Sequence, residues 1–165
     1  MKFKGILKVC NYFKNTRRKK HLKIAIDFDG TCVKNKFPLI GEDIGAVPVL
    51  KKWVSQGHQL ILFTMRSGVF LKQAVEWFKK NGIELYGIQY DPHQKLWTTT
   101  NKAFAHIYID DSALGCSLII NEDLPYVDWL TMDRLFDELY GKGVINDYDP
   151  STSNTDMQEG ITDGN

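Results

Sequence analysis

The amino-acid sequence predicts an α/β fold, a three-layer αβα sandwich built on a mostly parallel sheet. Three observations lead there. Short apolar stretches with the two-residue period of strands alternate with stretches of helical period. The alternation fills most of a chain of 165 residues, a length that suits one domain with a well-buried core. Acids and hydroxyls gather at the C-terminal ends of the strand-like stretches, where open parallel sheets place their ligands. Strand, helix and parallel strand in succession give a Rossmann-like arrangement with helices on both faces.

Along the chain, Leu22, Ile24, Ile26 and Phe28 fall on one side of a strand that runs into Asp27 and Asp29, and Gly30-Thr31 stops it. Residues 32–42 read as a loop or small hairpin. A helix over 46–56 places Val47, Leu50 and Val54 on one face, tolerates Pro48 in its first turn and stops at Gly57. Gln59 to Phe63 is a short apolar strand ended by Thr64-Met65-Arg66-Ser67-Gly68. The next helix, over 69–80, gathers Phe70, Ala74, Trp77 and Phe78, and Asn81-Gly82 ends it. Ile83 to Ile88 reads as a strand, and 89–101 as irregular, with Pro92 and the run Thr98-Thr99-Thr100. Ala105 to Ile109 is a strand entering Asp110-Asp111, and Ser117 to Ile120 another short one. A helix over 131–140 should bury Met132, Leu135, Phe136 and Leu139, with Gly141 as its cap. Trp53 and Trp77 are expected to pack in the core, and His58 and His106 to be ordinary surface or core histidines.

The ends differ from the middle. Residues 1–23 hold nine Lys/Arg and no acid, whereas 145–165 hold five acids and no base. The expected organisation is a basic segment over 1–21, one domain over 22–143, and an acidic, disordered tail over 144–165. The three cysteines, Cys10, Cys32 and Cys116, show no metal-binding spacing and fit a reduced, cytoplasmic setting. No apolar run approaches the roughly 20 residues needed to span a membrane.

Asp27 and Asp29, two apart in a strand, leave the same face. Adjacent carboxylates repel and need a cation to stay ionised together. Asp110 and Asp111 add two more to the same rim. An all-oxygen set without His or Cys suits a hard ion, of which Mg²⁺ is the natural choice. Beside such an ion and a lysine, one carboxylate can attack the phosphorus of a phosphate monoester, and a second can move the leaving group's proton.

Asp27-Phe28-Asp29-Gly30-Thr31, placed after an apolar strand, resembles the first signature motif of the haloacid dehalogenase superfamily. The other motifs follow in the family's order: Thr64 after Leu60-Ile61-Leu62-Phe63, Lys102 as the lysine with Lys95 as the alternative, and Asp110-Asp111 after Ile107-Tyr108-Ile109. The resemblance covers roughly residues 22–140. It implies that Asp27 is the nucleophile and a metal ligand, and that Asp29 is the general acid/base, offering its backbone carbonyl to the metal. Thr64 is then the residue that hydrogen-bonds the phosphoryl group, and Lys102 the one that neutralises charge. Asp110 becomes a metal ligand, with Asp111 binding directly or through water. Gly30 and Thr31 shape the turn at the site, and with Met65 and Arg66 they are the candidate substrate-contacting residues. Asp29 favours a phosphatase over the family's ATPases and dehalogenases.

The intervals from Asp29 to Thr64 (35 residues) and from Thr64 to Lys102 (38 residues) leave no room for an inserted cap domain, so an open site is expected. Small sugar or nucleotide phosphates are the expected substrates. A polynucleotide end or phosphoprotein is the alternative, with the basic N-terminus as a nucleic-acid arm. A second copy of the chain covering the site, and a catalytically silent binding module, are further readings.

Overall fold

The computed structural model describes residues 21–121 and 124–141, so apart from His21 the basic segment, and all of the acidic tail, lie outside the described residues. The chain is an α/β protein with a mostly parallel sheet flanked by helices, as the sequence predicts. Its elements are β1 (Lys23–Ile26), α1 (Ala46–Ser55), β2 (Gln59–Leu62), α2 (Gly68–Lys80), β3 (Gly87–Ile88), β4 (Ile107–Ile109), β5 (Leu118–Ile119), β6 (Tyr126–Val127) and α3 (Trp129–Leu139). Four parallel strands form the main sheet in the order β3-β2-β1-β4. β1 therefore has a neighbour on each side, and its C-terminal end lies between those of β2 and β4.

Alternation along β1 decides what each face of the sheet touches. Ile24, Ile26 and Phe28 join Leu60, Leu62, Leu50, Trp53, Phe78 and Phe136 in one buried cluster, so the helices share a single core. Trp53 of α1 stacks on Phe136 of α3 at 4.2 Å between centroids and meets Trp129 edge-on at 5.6 Å. Trp77 and Phe78 of α2 lie 5.5 and 6.0 Å from Phe28. The opposite face carries Lys23 and the buried Ala25 and Ile61. There the cover is the segment 89–106, whose only regular element is a 3-10 turn over Gln94–Leu96. Lys23 reaches the buried Asp91 of that segment at 2.7 Å, with its ammonium 5.0 Å from the Phe104 ring.

Several expected boundaries move. The strand expected over 83–88 pairs only at Gly87–Ile88. The stretch expected at 117–120 pairs antiparallel with β6, a strand of two residues too short to show any period, and the two form a separate small sheet. α3 starts at Trp129, earlier than expected, because the Asp128 carboxylate caps it by accepting from the Thr131 N–H at 3.1 Å. Its buried residues are Trp129 and Phe136, whereas Leu135, expected in the core, is exposed. Trp53 does pack in the core, and its indole N–H donates to Asp133 at 3.0 Å. Among the described residues there is no inserted cap domain, and no helix is long and apolar enough to cross a membrane.

Candidate active site

Asp27 leaves the end of β1 with its backbone N–H bonded to the Ile109 carbonyl at 3.0 Å. That bond sets it beside Asp110 and Asp111, which follow β4. One oxygen from each of the three carboxylates lies within 4.8 Å of the others. Burial, followed by the neighbouring Asp110 charge, raises Asp27 to about 7, although a backbone bond at Phe28 and a hydrogen bond with Thr64 pull the other way. Asp111 is raised for the same two reasons, burial first and Asp110 second. Three half-buried oxygens donors with no nitrogen or sulfur among them, two held against their natural acidity, make a set that a hard divalent cation would relieve.

Gly30 and Thr31 support this trio from below. Gly30 has φ +78°, and a Cβ there would stand 2.4 Å from the Asp111 Oδ2. Only glycine accepts that backbone and that approach. Thr31 is fully buried, and its hydroxyl lies 3.4 Å from Asp27 Oδ2 and 3.4 Å from Asp111 Oδ1 while accepting the Asp111 N–H at 3.0 Å. The Trp129 indole N–H donates to the Thr31 carbonyl at 2.7 Å, so α3 buttresses the turn. Gly30 and Thr31, expected from the sequence to contact substrate, thus hold the acids in place.

Asp29 goes elsewhere. Its carboxylate accepts from Arg66 Nε at 2.6 Å and Arg66 Nη2 at 2.7 Å, a two-point pairing, and it is not one of the clustered three. The expectation that Arg66 meets substrate is corrected here. Its guanidinium is buried, also donates to the carbonyls of Pro38 and Leu39 at 3.1 and 2.7 Å, and lies between the Phe28 and Phe37 rings at 5.1 and 5.2 Å. No face or donor pair is left for a ligand.

Thr64 follows β2 with its N–H donating to the Gln89 side-chain oxygen at 3.0 Å, while the Gln89 amide donates back to the Thr64 carbonyl at 2.6 Å. Gln89 has φ +66°, a left-handed conformation rare for its type and typical of places where surrounding contacts over-determine the chain. That amide therefore takes up the Thr64 N–H.

These ends of β1, β2 and β4 form the base of a cavity of about 940 Å³ that includes Asp27, Thr64, Asp110 and the exposed Met65. Its wall is the segment expected to be irregular: Gln89, Tyr90, Lys95 and Thr98 to Asn101. Gln94 staples this wall. Its buried amide donates to the carbonyls of Thr100 and Lys102, both at 3.1 Å, and accepts from the N–H groups of Asp91 and Phe104 at 3.0 and 2.8 Å. Lys95 lines the cavity with its ammonium 4.4 Å above the Tyr90 ring. Lys102 is not among the lining residues. Its ammonium sits 5.4 Å from the Tyr108 ring, on the strand that ends in Asp110 and on the same face, two residues back. The wall residues Gln89, Tyr90 and Gln94 carry no motif and no periodicity, and a positive φ leaves no mark in composition.

No family model and no curated protein matches the chain. A solved structure, described as that of a conserved protein coded by a locus from Bacteroides thetaiotaomicron, is 34% identical with a TM-score of 0.61, covering 72% of this chain and 92% of that one.

Proposed function

For a chain that belongs to one family with the conserved Bacteroides thetaiotaomicron protein, we propose a Mg²⁺-dependent phosphatase of the haloacid dehalogenase type, hydrolysing a small phosphate monoester through an aspartyl-phosphate. The observation that carries this reading is the convergence of Asp27, Asp110 and Asp111 within 4.8 Å at the base of a cavity that also holds Thr64.

Asp27, Asp110 and Asp111, with the Asp29 carbonyl, are the residues that hold Mg²⁺ in this reading. When bound, the ion neutralises the crowded carboxylates and draws a phosphate dianion to them. Asp27 then bonds to phosphorus as the bond from phosphorus to the leaving oxygen breaks. Asp29 gives that oxygen a proton and later takes one from the water that attacks phosphorus, which releases phosphate and restores the Asp27 carboxylate. Carrying a proton there requires one Asp29 oxygen to part from Arg66. Thr64 donates its hydroxyl to the transferring group, and Lys102, beside the acid-bearing end of β4, balances its charge.

The test is hydrolysis of a generic aryl phosphate by the full chain in Mg²⁺ and in excess chelator. Turnover that needs the ion and disappears in Asp27→Asn supports the reading. Metal-independent turnover, or turnover unchanged in that variant, removes it.

A further inference from the structure

Phosphoryl transfer of the proposed kind needs one lysine, and two come near: Lys95, which lines the cavity, and Lys102, which rests on Tyr108 of β4 outside the lining. Lys95 and Lys102 each rest on a tyrosine ring, and neither has a carboxylate partner among the described residues. Sheet order separates their positions. Tyr108 belongs to β4, next to β1, whereas Tyr90 follows β3, two strands from β1 on the other side. With strands about 4.8 Å apart, the Lys95 platform lies roughly 10 Å from the Asp27 end of β1. A spacing of that order matches the length of a small molecule reaching across the cavity from the Asp27 end. The same wall presents the neutral hydroxyls of Thr98, Thr99 and Thr100 and the amide of Asn101.

The wall is fixed before any ligand arrives. The buried Gln94 amide holds it at four points, and Gln89 ties its start to Thr64. A cavity of about 940 Å³ far exceeds one phosphoryl group and is of the size that encloses a small molecule.

Resting on the phosphatase reading, we infer that the wall is a subsite for the leaving group, and that Lys95 recognises a second anionic group on it, a carboxylate or a second phosphate. The substrate is then a short hydroxylated phosphomonoester with negative charge at both ends. The Tyr90 ring holds the ammonium in place, and the hydroxyls of 98–100 meet those of the substrate.

The experiment measures kcat/KM of the full chain in Mg²⁺ for three probes of one skeleton: glycerol phosphate, which is neutral at its far end, phosphoglycerate, which ends in carboxylate, and a glycerol bisphosphate. Wild type is expected to prefer one or both anionic probes by tenfold or more, the effect of one charge-assisted contact. In Lys95→Met that preference collapses toward unity through KM, and Lys95→Arg restores it. A preference for the carboxylate probe alone, or for the bisphosphate alone, identifies the second anion. Lys95→Met retaining the preference, or wild type showing none, overturns the subsite while leaving the phosphatase reading in place. If no probe and no aryl phosphate is turned over, the phosphatase reading falls and the subsite falls with it.

Discussion

Replacing Asp27 with Asn exchanges a carboxyl whose protonated form the fold favours for an amide of the same shape. Its value rises from the ordinary 3.8 to about 7, chiefly through burial. A folded value above the unfolded one means that the fold prefers the protonated group. The associated stability is fully present below about pH 4 and is lost as pH rises through about 7. The full difference is equivalent to ~4 kcal/mol, and the water still reaching this half-buried group lowers it. In chelator at about pH 8, Asp27→Asn should therefore be more stable than wild type by ~1–4 kcal/mol, raising Tm by roughly 5–15 °C for a domain of this size. Thermal melts by circular dichroism across about pH 4 to 8 read this directly. Wild type loses stability over that window, and the variant loses less. With Mg²⁺ the order reverses, because the ion stabilises wild type most where Asp27 is ionised and has lost a ligand in the variant. Parallel pH profiles for the two proteins in chelator would refute the reasoning.

Gly30→Ala forces a Cβ to within 2.4 Å of Asp111 and a side chain into φ +78°. It should cost ~1–3 kcal/mol in a denaturant titration and weaken Mg²⁺ binding measured by calorimetry. Arg66→Met leaves Asp29 and two carbonyls without their donor. Unfolding should become easier by ~3–5 kcal/mol, and the fall in aryl phosphatase activity should appear mainly in kcat, since Arg66 touches no ligand. Lys102→Ala should lower kcat for every substrate alike, which initial-rate kinetics on an aryl phosphate and on phosphoglycerate will show.

Much of the site was legible because strand period and strand-end chemistry agree. Alternation from Leu22 to Phe28 fixes which way β1 faces, and acids ending β1 and β4 cannot serve the core. Parallel pairing then brings residues more than 80 positions apart to one rim. The four expected acids nevertheless divide, three toward a shared centre and Asp29 toward Arg66. A period of two gives the face a side chain leaves by, and not the partner waiting there. Arg66 itself sits in a motif-rich turn, and only the aromatic rings of Phe28 and Phe37 around it reveal that it is sealed. The wall over 89–101 was illegible because its order comes from side-chain amides, Gln94 above all and Gln89 at its start, bonding to backbone groups. β5 and β6, of two residues each, are set by their pairing rather than by any pattern of their own.

The central claim is a covalent aspartyl-phosphate at Asp27. A single turnover with aryl phosphate and Mg²⁺, quenched in acid and reduced with borohydride, converts a phosphorylated aspartate to homoserine. Peptide mass spectrometry then reads which residue carried the group. The account predicts homoserine at position 27, present only when substrate and Mg²⁺ are both supplied and absent in Asp27→Asn. Homoserine at Asp29, Asp110 or Asp111, or none at any position while phosphate is released, would contradict it.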